Sequence, residues 1–180
     1  MAANTQTLES EKINQQKLEN FLGRVIGDFG AALSSALVYI GQKLGLYKAM
    51  AKAGKPLTSA ELAQQTGTAE RYIREWLINQ AASGYIEYDP ATGRYRLPPE
   101  QAVALTDENS PFYVGGGFYV IKAMLRAEPR ITEAFKNGGG MLWGEHDPDL
   151  FIGTERFFRP GYATHLVREW IPENPQICTI

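Results

Sequence analysis

The chain has 180 residues, 44% of them hydrophobic and 21% charged, and a net charge of −2. That is the composition of an ordinary soluble globular protein, long enough to bury a core, and it gives no global electrostatic attraction to nucleic acid or to an anionic membrane. The single cysteine, Cys178, excludes an internal disulfide and fits a reducing, cytoplasmic setting.

Residues 1–11 are polar and mixed in charge. They lack the basic start and apolar run of a signal peptide and are expected to be disordered. From residue 12 onward, Leu18, Phe21, Leu22, Val25, Ile26, Phe29, Leu33, Leu37, Ile40 and Leu44 recur in steps of three and four, an apolar helical stripe. Gly27, Gly30 and Gly41 predict two helices with a bend rather than one. The most apolar stretch, AALSSALVYIG, reads as too short and too broken to span a bilayer. The stripe is longer than a helix needs to dock on its own domain. Residues 12–50 are therefore a candidate homodimer interface, beside plain packing on the chain's own core.

Thr58 with Glu61 matches a capping box, in which each side chain satisfies an unpaired N–H of the helix start. That helix stops at Gly67. Thr68 then reads as the cap of a second helix, with Tyr72, Ile73, Trp76, Leu77 and Ala81 on its inner face and Gly84 after it. Two short helices around a glycine turn form a helix-turn-helix. Tyr85–Tyr88, a turn over Asp89–Gly93 and Arg94–Leu97 then predict a β-hairpin. The whole reads as a winged helix.

Ser110-Pro111 is read as the start of a further helix, weakened by Gly115–Gly117. Glu128-Pro129 opens another, running to Asn137, and Gly138–Gly140 is a joint. Asp147-Pro148 is an N-cap and first-turn pair, and Pro160-Gly161 is expected to break the helix it opens. The fold class is mainly α: a winged helix-turn-helix with a short β-hairpin and helical N- and C-terminal extensions. Its divisions are residues 1–11, 12–105 and 106–180.

Neither glycine triplet follows a predicted strand, the context a phosphate-binding loop needs. Two histidines and one distant cysteine make no metal cluster, and Asp147 in Glu145-His146-Asp147 is better used as a cap. Across residues 56–97 the bases Arg71, Arg74, Arg94 and Arg96 face five acids, Glu61, Glu70, Glu75, Glu87 and Asp89. A sequence reader of DNA carries a basic face, so no nucleic-acid partner is expected. Trp143, His146, Glu155, Arg159 and Tyr162 are the candidate substrate-binding residues, with His146 a possible general base. Interface packing and helix capping are the other uses of these side chains.

The segments GDFGAALSSALVYIGQKLGLYKAM, LTSAELAQQTGTAERYIREWLINQAASGYIEYDPATGRYRLPPEQAVAL and HDPDLFIGTERFFRPGYATHLVREWIP together resemble the N-terminal part of a bacterial family of class I S-adenosylmethionine-dependent methyltransferases. The resemblance implies a winged-helix domain that pairs protomers and walls the substrate pocket, with a small molecule as methyl acceptor. It also implies S-adenosylmethionine as the family's cofactor, bound by a strand and glycine-rich loop for which no counterpart is found before Ile180. Cofactor binding and activity are accordingly not expected of this chain alone. The alternatives are a winged-helix transcriptional regulator and a stand-alone small-ligand-binding module.

Overall fold

A computed structural model describes residues 13–173. The expected disorder of residues 1–11, and Cys178, lie outside the described residues. By internal contacts the chain divides into two units, up to Leu33 and from Ser34 onward.

Helix α1 runs unbroken over Gln15–Lys43, one helix where its glycines predict two. A glycine in a helix costs only about 1 kcal/mol against alanine, and the neighbouring Leu, Ala, Val and Ile positions sustain the ladder. Gly41 is there for packing: a Cβ on it would lie 2.6 Å from the Trp76 ring. The unbroken helix also corrects the expectation about bilayer length. By length and composition alone α1 could cross one, a test that core helices of soluble proteins also pass. Up to Leu33 the described unit is this helix alone, with Phe21, Ile26, Phe29 and Leu33 exposed.

In the second unit, the end of α1 packs with α2 (Leu46–Ala53), α3 (Ser59–Thr66) and α4 (Glu70–Ala82). Gly45 and Gly54 adopt left-handed conformations on either side of α2, which only glycine takes without strain. The capping box is formed: the Glu61 amide donates to Thr58 Oγ1 at 3.2 Å and the Thr58 amide to Glu61 Oε2 at 2.7 Å. Thr68 does not cap α4, whose N-cap is Ala69 without a side-chain bond. Instead the Thr68 amide donates to the Ala63 carbonyl at 3.0 Å, closing α3 behind Gly67.

The wing is the antiparallel pair β1 (Glu87–Asp89) and β2 (Arg94–Arg96), with Tyr88 opposite Tyr95. Leu57 joins it by two backbone bonds to Tyr95, each 2.8 Å. The core lies under this frame. Trp76 meets Tyr47 edge to face at 5.1 Å and donates its indole N–H to the Leu37 carbonyl at 2.9 Å. The Tyr47 hydroxyl donates to Oε1 of Gln80, which is wholly buried. Leu46, Leu57, Leu62, Leu77 and Ile86 fill the remainder.

Helix α5 (Pro99–Thr106) closes the winged helix, with Gln42 Nε2 donating to the Leu105 carbonyl at 2.8 Å. The helix expected from Ser110-Pro111 begins later, as α6 (Gly116–Arg126). Ser110 Oγ instead accepts the Phe112 amide at 3.2 Å, and Val114 bonds back to Ala104 at 2.9 Å, tying this stretch down as turns. Helix α7 (Glu128–Asn137) ends at left-handed Gly138 and buries none of its residues. A 3-10 turn, Trp143–Glu145, leads to α8 (Pro148–His165), which continues through a π turn, Leu166–Trp170, into Ile171–Glu173. Pro160 lies inside α8 and does not break it, contrary to expectation.

Helices α6 and α8 cross at their glycines. A Cβ on Gly116 would sit 2.6 Å from the Gly153 carbonyl oxygen, and one on Gly153 would sit 2.7 Å from the Gly116 oxygen. The first two glycines of the Gly115–Gly117 triplet thus serve close packing, not flexibility.

Candidate functional site

The side chains around α8 form two separate groups. At its start, Asp147 accepts the Asp149 amide at 3.0 Å and caps the helix as the sequence predicts. Lys122 from α6 reaches Asp149 at 2.7 Å and Asp147 at 3.1 Å, and the Tyr39 hydroxyl donates to Asp149 at 2.7 Å. Burial and the Asp149 carboxylate push the Tyr39 hydroxyl up to about 12. Desolvation by burial raises the Asp149 carboxyl, but bonds from Lys122 and Tyr39 outweigh it and leave the group below its usual range. This network pins the N-terminus of α8 to α6 and the end of α1.

Trp143 and His146 lie beside that start, their rings 5.6 Å apart, with Trp143 also edge-on to Phe151 at 5.1 Å. His146 borders a cavity of about 330 Å³ with Arg126, Arg130 and Glu145. Both arginines are engaged there, Arg126 with Asp147 at 3.2 Å and Arg130 with Glu145 at 2.5 Å.

Two turns further along α8, a groove of about 740 Å³ is lined by Glu155, Phe158, Arg159, Tyr162 and Leu166, with Thr154 and Ala163 at its floor. The five sequence-selected residues therefore do not form one pocket: Glu155, Arg159 and Tyr162 share the groove, while Trp143 and His146 stand apart. Phe158 and Tyr162 also line an adjoining cavity of about 550 Å³, with Phe112, Tyr113, Phe157 and Trp170. Sequence reasoning missed Phe158 and Leu166 as lining residues. Their spacing was the available signal, because 155, 158, 159, 162 and 166 stand at i, i+3, i+4, i+7 and i+11 and so share one helix face. Arg159 sits 3.1 Å from Glu155 and 3.6 Å from Glu108, and Lys48 holds Glu108 at 2.6 Å. The Lys48 bond, aided by Arg156 and Arg159, draws the Glu108 carboxyl below its usual range. Tyr113 is buried with its hydroxyl unpartnered, and burial raises that hydroxyl to about 12.

On the winged helix three of the four arginines of residues 56–97 are ion-paired: Arg74 of α4 with Glu70 at 2.7 Å, and in the wing Arg94 and Arg96 with Glu61 and Glu87. Among the described residues no group of three or more metal-ligating side chains converges. A third cavity, about 450 Å³, is almost wholly apolar and lies between Ile40 and Leu44 of α1 and Tyr72 and Trp76 of α4.

Residues 31–107 match the Rv2258c-like winged HTH domain. A search of the curated proteins gave no match. Among solved structures, the mitomycin 7-O-methyltransferase MmcR is similar at 20% identity with a TM-score of 0.62, over 83% of this chain and 47% of that one. PigF with SAH is similar at 20% identity and 0.59, over 89% and 48%, and SAH-bound CalO1, a methyltransferase in calicheamicin biosynthesis, at 19% and 0.59, over 86% and 48%. The likeness establishes a shared fold in which the winged-helix domain is followed by the α6–α8 helices. The chain spans about half the length of these three chains.

Proposed function

We propose that this chain provides the substrate-side wall and the protomer-pairing surface of an S-adenosylmethionine-dependent methyltransferase acting on a small molecule. The observation that carries the reading is the α8 groove, of small-molecule size, in a fold shared with roughly half of each of two methyltransferase chains. Glu155, Arg159 and Tyr162 line that wall. Trp143 and His146 contribute at its far end only if the acceptor spans the two turns of α8 between them, about 10 Å at 1.5 Å per residue. The single cysteine is in keeping with a cytoplasmic protein.

The described residues do not fit the cofactor. Its phosphate-loop-like site needs a strand leading through glycines into a helix, whereas the strands among the described residues are the two of the wing. Gly115 and Gly116 are closed off by Tyr113, Gln42 and the α8 backbone. Calorimetric titration of residues 1–180 with S-adenosylmethionine is expected to give no micromolar binding. A dissociation constant in that range would overturn the division of labour.

Pairing is assigned to the helices within residues 12–50, supported by exposed Phe21, Ile26, Phe29 and Leu33 and by the apolar cavity at Ile40, Leu44 and Tyr72. Each such side chain removed from water is worth roughly 1.5–3 kcal/mol. Sedimentation should show a dimer at tens of micromolar by the usual scale of such interfaces, converted to monomer by Phe29→Asp with Leu33→Asp. A monomeric unmodified chain would refute the pairing.

A further inference from the structure

Resting on the reading of α8 as a substrate-side wall, we propose that its groove selects an anionic ligand, a small aromatic carboxylate. The ring would lie on Phe158, Tyr162 and Leu166, and the carboxylate would lie against the guanidinium groups of Arg159 and Arg156.

The charge arrangement is the ground for this. Arg159 Nη2 and Arg156 Nε approach the same oxygen, Glu108 Oε2, at 3.6 and 3.9 Å. Both distances exceed hydrogen-bond length. Glu108 is already matched by Lys48, whose ammonium sits 2.6 Å from its other oxygen. Among the described residues three cations, Lys48, Arg156 and Arg159, thus face two carboxylates, Glu108 and Glu155; Arg156 stands just outside the groove lining, its guanidinium also over the Tyr119 ring at 5.2 Å. Two guanidinium groups three residues apart on one helix, aimed at one oxygen they do not reach, form a fork that a mobile carboxylate can close on. Charge-assisted pairs of this kind are shorter and about twice as strong as neutral hydrogen bonds.

The apolar part is equally specific. Phe158 and Tyr162 lie with ring centroids 6.2 Å apart and line both cavities, giving a flat ring two aromatic walls beside the cationic edge. Glu108 occupies the place of the ligand's carboxylate, so it competes with the ligand.

The probes are 1-naphthoate and its neutral counterpart 1-naphthalenemethanol, titrated calorimetrically into residues 1–180. Naphthoate is expected to bind about tenfold more tightly than the alcohol, the scale of one charge-assisted bond. Arg159→Gln should erase that preference while leaving alcohol binding intact. Phe158→Ala should weaken both. Glu108→Gln should strengthen naphthoate alone by several-fold, a gain that a misfolded variant cannot produce. Equal affinity for the two probes, or a preference for the alcohol, would overturn the anionic selection and leave the wall reading standing. Failure of both probes to bind would remove the groove as a ligand site, and the wall reading with it.

Discussion

The close approach between Gly116 of α6 and Gly153 of α8 can be tested by adding a single methyl group. A Cβ on Gly153 would lie 2.7 Å from the Gly116 oxygen, 2.7 Å from Tyr119 Cβ and 2.8 Å from the Val120 amide nitrogen. Two of these neighbours are backbone, so no side chain can rotate away and the helices themselves must part. Overpacking of this kind costs about 1–3 kcal/mol, and alanine recovers about 1 kcal/mol of helix propensity. The net is a loss of about 1–2 kcal/mol, taking the backbone contacts to place this site in the upper part of the overpacking range. Gly161→Ala supplies the contrast on the same helix, because nothing lies within 4 Å of its added Cβ. It should be neutral or gain up to about 1 kcal/mol. Urea denaturation followed by circular dichroism measures both. A Gly153→Ala chain as stable as the unmodified one, with unchanged slope, would refute the close-contact argument.

Tyr47→Phe removes the donor to buried Gln80 Oε1 and should cost about 1–3 kcal/mol, the penalty for an orphaned buried acceptor, read from the same denaturation midpoint. Asp149→Asn should flatten the acid limb of stability. The Asp149 carboxyl titrates lower folded than unfolded, so its contribution is complete above the ordinary carboxylate value and is lost as pH falls through the lower folded value. Melting temperatures taken from pH 7 down to strongly acid conditions should converge for the variant and the parent only at the acid end. A gel-shift assay at moderate salt should show no nanomolar retardation of duplex DNA, since three of the four arginines in residues 56–97, Arg74, Arg94 and Arg96, are paired with carboxylates.

The winged helix was legible because its signals are local. Thr58 and Glu61 sit at capping-box spacing, Gly67 and Gly84 mark ends, and Tyr-rich runs flank the Asp89–Gly93 turn. The errors arose where a distant partner decides. Gly41 reads as a weak point until the Trp76 ring lies against it, and Gly115–Gly117 as a weakness in its helix until α8 lies against Gly116 and Gly117. Thr68 has the side chain of an N-cap, yet its amide is used by the preceding helix. The groove was half legible. Glu155, Arg159 and Tyr162 lie on one helical face, but His146 and Trp143 were joined to them by chemistry and not by spacing. Glu108 and Lys48 reach the same place from other elements, which no local pattern records.

The π turn at Leu166–Trp170 has a consequence for chain length. Such a turn amounts to an α-helix carrying one extra residue. Loss of one residue there would leave continuous α-helix and would leave Glu155, Phe158, Arg159 and Tyr162 in their present directions. The same loss within Pro148–Thr154 would swing these groove-lining side chains by about 100° relative to the anchored helix start. Relatives of this protein that differ in length by a single residue near the end of α8 should therefore carry the difference at the π turn, with Trp170 as the aromatic side chain that changes face.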